Sequence, residues 1–197
     1  MLDSCHELIP AWFVTRNKKD NQESYLDHYI RSCRELGMKG DIKIALEQMI
    51  VVDYLIANTD RHWTNFGVIR NSDTLQVERL APLYDHGAAF FPKIHHLEIF
   101  KESDYLKCLS FRKTQKDNLK LVKDVSWLNK DALKLLPDII KTELDKNILG
   151  SKERTDIIVS CINNRIASFK RLMGIEFDKK VKTDIVKNST SKGRRLG

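Results

Sequence analysis

The sequence predicts a mainly α-helical chain with one small β-hairpin near its middle, an α+β arrangement. Three observations carry this. Residues 41–58 place Ile42, Ala45, Leu46, Met49, Ile50, Val52, Leu55 and Ile56 around most of a helix's circumference, as a buried helix requires. From Phe66 the pattern shortens. Phe66-Gly67-Val68-Ile69-Arg70 and residues 74–80 flank the polar turn Asn71-Ser72-Asp73, which reads as two short strands. The C-terminal third then returns to helical spacing, with Ile157, Ile158, Cys161, Ile162, Ile166, Phe169 and Leu172 between Ser151 and Gly174.

At the N-terminus, residues 8–14 are apolar and fit a short strand, with Pro10 confining it to an edge or a connection because it has no N–H to donate. Asn17-Lys18-Lys19-Asp20-Asn21 is a polar loop. Residues 24–36 carry Tyr25, Leu26, Tyr29, Ile30, Cys33 and Leu36 at helical spacing, and Gly37 stops that helix. The buried helix of 41–58 runs straight into Thr59-Asp60-Arg61-His62. Ala81-Pro82-Leu83-Tyr84-Asp85-His86-Gly87 closes the second strand, and residues 90–118 are expected to be mostly irregular with a short helix. Ser126 is expected to cap a helix through Leu136, Pro137 to break it or open the next, and that next helix to reach Leu149 before Gly150. Ser151 caps the last helix and Gly174 ends it.

Composition excludes several classes. With 42% hydrophobic and 31% charged residues over 197 positions, the chain can bury a core and is not a disordered polymer. No apolar run approaches the roughly 20 residues of a membrane-spanning helix. The start, Met1-Leu2-Asp3-Ser4, lacks the basic and apolar regions of a signal peptide, so a cytoplasmic protein is expected. Cys5, Cys33, Cys108 and Cys161 form no C-x-x-C pair and read as small thiols in or near a core. His95-His96 lacks the helical partner that a metal site would need. The net charge is +7, but residues 178–197 hold seven basic and two acidic side chains and so carry +5 of it. Such a tail reads as a solvated terminus, and direct nucleic-acid binding is not expected.

The chemistry concentrates in Asn58-Thr59-Asp60-Arg61-His62-Trp63-Thr64-Asn65 and, twenty residues after Asn65, Asp85. Phosphoryl transfer from ATP needs a carboxylate to hold the attacking hydroxyl, hard oxygen ligands for magnesium, and donors facing the transferred group. Kinases place the catalytic Asp and a metal-binding Asn on one loop as D-x-x-x-x-N, and a second metal-binding Asp before a Gly. Asp60 and Asn65 have that spacing, and Asp85 with Gly87 occupies the far end of the hairpin. Taken singly, each could be a helix cap or a turn residue.

Asn58-Thr59-Asp60-Arg61-His62-Trp63-Thr64-Asn65-Phe66-Gly67 together with Ala81-Pro82-Leu83-Tyr84-Asp85-His86-Gly87 resembles the C-terminal lobe of HipA-like serine/threonine kinases, the bacterial toxin kinases and their relatives. The Asp-Arg-His-x-x-Asn run is also similar to the catalytic loop of phosphatidylinositol-3/4-kinases. The resemblance implies a protein-kinase-like C-lobe over residues 21–177. Residues 1–20 would be a hinge strand or N-lobe remnant, and residues 178–197 a basic, disordered tail. It implies Asp60 as catalytic base, with His62 as donor to the transferred phosphate. Asn65 and Asp85 would hold magnesium and, through it, ATP. Arg61 would support the loop through ion pairs. Trp63 and Phe66 read as packing, and His86 as structural.

A kinase also needs an N-lobe with a phosphate-covering loop and a Lys. None of the eight glycines forms G-x-G-x-x-G or G-x-x-x-x-G-K-[ST], so the N-lobe is expected to be largely missing and the lobe inactive without one. The expected partners are a protein substrate and, through the resemblance, an N-lobe chain or a DNA-binding antitoxin. Two further readings compete: a non-catalytic kinase remnant that binds proteins, and a phosphoinositide-type lipid kinase. No amphipathic membrane helix supports the lipid reading.

Overall fold

The computed structural model describes residues 5–91, 106–146 and 151–176. The chain runs β1 (His6–Pro10), α1 (Ala11–Val14), α2 (Tyr25–Glu35), α3 (Ile42–Leu55), β2 (Gly67–Asn71), β3 (Val77–Leu80), α4 (Gln115–Leu119), α5 (Lys130–Asp145) and α6 (Lys152–Met173). It is mostly helical with one small antiparallel sheet, as the sequence predicts.

The caps explain where the helices begin. Ser24 Oγ accepts Asp27 N–H at 3.1 Å, Asp41 Oδ1 accepts Ile44 N–H at 3.2 Å, and Ser151 Oγ accepts Arg154 N–H at 3.1 Å. Each supplies an oxygen to a donor that the first turn leaves unpaired. Gly37 and Gly174 take the left-handed conformation that stops α2 and α6, at φ +86° and +63°. α3 is the central element. Ile42, Leu46, Met49, Ile50, Val51, Tyr54 and Leu55 are all buried, and they point in several directions because α3 has neighbours on most sides.

The sheet has three strands in the order β1-β2-β3, the hairpin joined by the N-terminal strand, which lies at the edge as Pro10 requires. β1 adds antiparallel to β2 from His6 opposite Asn71 to Pro10 opposite Gly67. Gly67 is needed at that crossing, since a Cβ there would stand 2.1 Å from the Ile9 carbonyl oxygen and 2.9 Å from Pro10 Cα. The apolar run of residues 8–14 splits at Pro10, which ends the strand and precedes the short α1. The second hairpin strand is shorter than residues 74–80, because Asn71 Oδ1 ties Asp73 and Thr74 N–H into the turn at 3.0 Å each.

Two helix expectations are corrected. Ser126 does not cap a helix: its N–H and hydroxyl bond to Asp124 at 2.8 and 2.9 Å. Asn129 is the cap, accepting from Asp131 and Ala132 N–H, and α5 runs unbroken through Pro137 to Asp145. Proline in a helix interior forfeits one backbone hydrogen bond; here its ring is buried, which offsets part of that loss. The expected end of that helix at Leu149, with Gly150, lies outside the described residues, as do His95-His96 and the basic tail. Within residues 106–118 the irregular stretch closes on a Lys107–Thr114 bridge and then α4. Cys33, Cys108 and Cys161 are buried thiols and Cys5 is half-buried, with no disulfide. Among the described residues, no helix is long and apolar enough to cross a membrane.

Candidate functional site

The site starts where α3 stops. Ala57 takes a left-handed φ of +55° and turns the chain out of the helix. Asn58, fully buried, then fixes the exit in three directions. Its amide donates to Asp53 Oδ1 at 2.9 Å, its Oδ1 accepts Asp60 N–H at 3.3 Å, and its carbonyl accepts Gln115 Nε2 at 2.6 Å.

Arg61 organises the loop around it. Its guanidinium is fully buried and all five of its N–H donors have acceptors. Nε and one Nη2 donor grip Asp53 side-on at 2.8 and 2.9 Å, the bidentate geometry that suits a buried pair. Nη1 donates to the carbonyls of Asn65 at 2.5 Å and Tyr84 at 2.6 Å. The remaining Nη2 donor meets His86 Nε2 at 3.0 Å, which puts that ring's proton on Nδ1. One side chain thus ties the Asp60–Asn65 loop to the segment that carries Asp85. Arg61 and His86 have the supporting roles expected of them.

The loop itself is a tight turn. His62 N–H donates to Asp60 O and Asn65 N–H to His62 O, both at 2.8 Å. Asn65 Nδ2 donates back to Asp60 O at 2.9 Å, so the two residues are locked together. His62 Nδ1 accepts Thr64 N–H at 3.3 Å and lies 2.7 Å from Thr64 Oγ1. That leaves Nε2 as the ring's proton carrier, 3.8 Å from Asp60 Oδ2 and too far for a hydrogen bond. The Asp60 side chain is 49% exposed, so its carboxylate is open to a ligand.

Asp85 is exposed at a left-handed φ of +53°. Tyr84 beside it donates its hydroxyl to Thr64 O at 2.8 Å, a second tie between the two segments. Burial pushes that phenol above its ordinary value against the opposing pull of Arg61, and the Asp85 carboxylate adds to the rise. Behind the loop, Trp63 and Phe66 pack with Tyr29 and Phe111 at ring separations of 5.3–6.0 Å, largely edge to face. Both aromatics serve packing.

The donor set fits a hard divalent cation. Asn65 Nδ2 is committed to Asp60 O, while Asn65 Oδ1 and the Asp85 carboxylate accept no hydrogen bond from any described residue. An amide oxygen and a carboxylate are ligands that magnesium accepts alongside phosphates and water. No group of three or more His, Cys, Asp or Glu suited to a metal occurs among the described residues.

Residues outside the motif complete the frame with Asn58: Asp53, Gln115 and Arg165. The signal for Asp53 was present, since it interrupts the apolar runs 49–52 and 54–57 eight residues before Arg61. Gln115 and Arg165 left no local signal.

No family model and no curated protein matches the chain by sequence. Among solved structures, the chain is similar to the crystal structure of a Helicobacter pylori proinflammatory kinase, CtkA. The likeness has a TM-score of 0.58 at 17% identity and covers 87% of this chain and 72% of that one. At that identity it shows the fold alone, and the fold is kinase-like.

Proposed function

We propose that this chain is the catalytic lobe of a HipA-like kinase that uses ATP and magnesium to phosphorylate serine or threonine on a protein. The observation that carries the reading is the buried Arg61 guanidinium, which joins the Asp60–Asn65 loop and the Asp85 segment through carbonyls of both. Three oxygen-bearing side chains are thereby borne on one rigid frame, which positional catalysis of phosphoryl transfer needs. Asp60 accepts the proton of the attacking hydroxyl. Asn65 Oδ1 and the Asp85 carboxylate hold magnesium, which neutralises charge on the ATP phosphates when bound. His62, whose Nε2 stands 3.8 Å from Asp60 Oδ2 on the same loop, donates to the transferred group. The kinase-like fold supports the class of reaction, and the Asn58–Gly87 motif supports the HipA-like assignment.

Two measurements test this. Calorimetric titration of ATP with magnesium into the purified chain is expected to show micromolar binding. Asp85→Ala and Asn65→Ala should lose the magnesium-dependent part, and Asp60→Asn should keep it. Because the sequence holds no glycine-rich phosphate loop, transfer of labelled phosphate is measured with a HipA-type N-lobe supplied in trans. Asp60→Asn should lower it by on the order of 10²–10⁴-fold. Absence of ATP binding with or without magnesium overturns the proposal, and so does undiminished transfer by Asp60→Asn.

A further inference from the structure

A cleft of about 700 Å³ opens beside the start of α2, the first turn of α3 and α4, and none of residues 58–87 lines it. Five cations line it: Lys43, Arg112, Lys113, Lys120 and Lys123. All five are exposed. Two carboxylates share the wall, and both are engaged locally. Asp27 accepts the Ser24 hydroxyl at 2.6 Å, and Asp117 accepts Thr114 Oγ1 at 2.7 Å and Lys120 Nζ at 2.8 Å. Lys43, Arg112 and Lys113 form no salt bridge among the described residues, although Arg112 is near enough to Asp117 to help hold its carboxyl down. Half-buried Leu121 gives the same cleft an apolar spot, over a floor that includes Leu26 of the core. The cleft also adjoins the frame of the candidate site, because Arg112 follows Phe111, whose ring packs on Trp63 and Phe66 at 5.6 Å each.

We propose that this cleft docks an acidic, leucine-containing peptide segment of a protein partner. Surplus positive charge recognises acidic motifs, most strongly where an arginine can fork onto a carboxylate. The two wall carboxylates decide between anionic partners. A nucleic-acid backbone presents phosphates in uninterrupted succession and would be repelled most at Asp27, which Ser24 holds without a cation, since Lys120 already pairs Asp117. A peptide can set its carboxylates opposite the unpaired cations, leave neutral residues opposite the aspartates, and lay a leucine side chain on Leu121. Capture of such a segment uses neither Asp60, Asn65 nor Asp85, so it stands or falls apart from phosphoryl transfer.

The test is fluorescence anisotropy with the full chain and three labelled probes: a peptide of repeated Glu-Leu-Glu units, its Gln-Leu-Gln counterpart, and a single-stranded oligonucleotide. The Glu peptide is expected to bind, with affinity falling as salt rises, and the Gln peptide to bind at least about tenfold more weakly. Lys43→Glu/Arg112→Glu should weaken the Glu peptide by about tenfold or more. Lys39→Glu/Lys152→Glu, an equal charge change outside the cleft, should leave it within about twofold. All four positions are exposed, and unchanged thermal unfolding confirms that the variants fold. Equal binding of the two peptides overturns the proposal. So does an equal loss in both double variants, or tighter oligonucleotide binding that depends on Lys43 and Arg112.

Discussion

Arg61 is the residue on which the candidate site turns. A lysine in its place could not span Asp53, two carbonyls and an imidazole, because an ammonium is a single point with three donors. Arg61→Ala leaves the buried Asp53 carboxylate without its partner, and breaking a buried pair in that way costs about 3–5 kcal/mol. Urea unfolding should therefore show a loss of that size, with Arg61→Lys recovering only part of it. The cysteines give a second expectation. Burial pushes the thiols of Cys33 and Cys161 up to about 12, so neither supplies thiolate at neutral pH. Titration with a thiol reagent should label half-buried Cys5 first, with Cys33, Cys108 and Cys161 reacting only on unfolding. Rapid labelling of Cys161 in the native chain would contradict its packing in the α6 core.

At the scale of elements, α2 shows how one helix joins a core face to a charged one. Its inner face buries Tyr29 and Cys33, and its outer face carries Arg31. Arg31 donates to Glu23 at 2.9 and 3.0 Å and to Glu35 at 2.6 Å. The hydrogen bond from Arg31 holds the Glu23 carboxyl down at about 2. A lowered carboxyl stabilises the fold above its unfolded value of roughly 4.3, and that contribution is lost as pH falls toward 2. Glu23→Gln should flatten the acid limb of a stability-against-pH curve over that window, and an unchanged limb would show that the pair contributes nothing measurable. The inner face predicts the opposite limb. Burial raises Tyr29 and Cys33, so stability should fall as pH rises above the unfolded thiol value of roughly 8.5. The elements were legible in the sequence where a local signal set them, with Ser151 as a cap and Gly37 and Gly174 as stops, whereas Ser126 carried the same signal and caps nothing. They were illegible where a distant neighbour decided. Pro137 reads as a breaker until its ring is seen buried in α5. The N-terminal strand was legible, but its pairing with β2 across Gly67 is a contact over about sixty residues of chain that no periodicity encodes.

Across the whole molecule, the candidate motif was legible because D-x-x-x-x-N and its trailing Asp lie within thirty residues, whereas the frame that holds it was not. That frame reaches α6. Arg165 is fully buried, donates Nε to Tyr54 O at 2.6 Å, stacks 4.1 Å from the Tyr54 ring, and bonds through Nη2 to Gln115 Oε1. Gln115 passes the link to Asn58 O, Asn58 to Asp53, and Asp53 to Arg61. A continuous buried chain of polar contacts therefore runs from the last helix to the loop that bears Asp60 and Asn65. Such a network is costly to leave half satisfied, since a buried donor or acceptor without its partner loses about 1–3 kcal/mol. Arg165→Met keeps most of the volume, removes the charge and strands Gln115 Oε1. If the network holds the loop, amide hydrogen exchange over residues 58–65 should quicken in Arg165→Met more than in Ser151→Ala. The latter variant loses about 1 kcal/mol from the start of the same helix without touching the network. Equal quickening in the two variants would mean that α6 supports the loop only through overall stability, and the polar chain would then be packing rather than positioning.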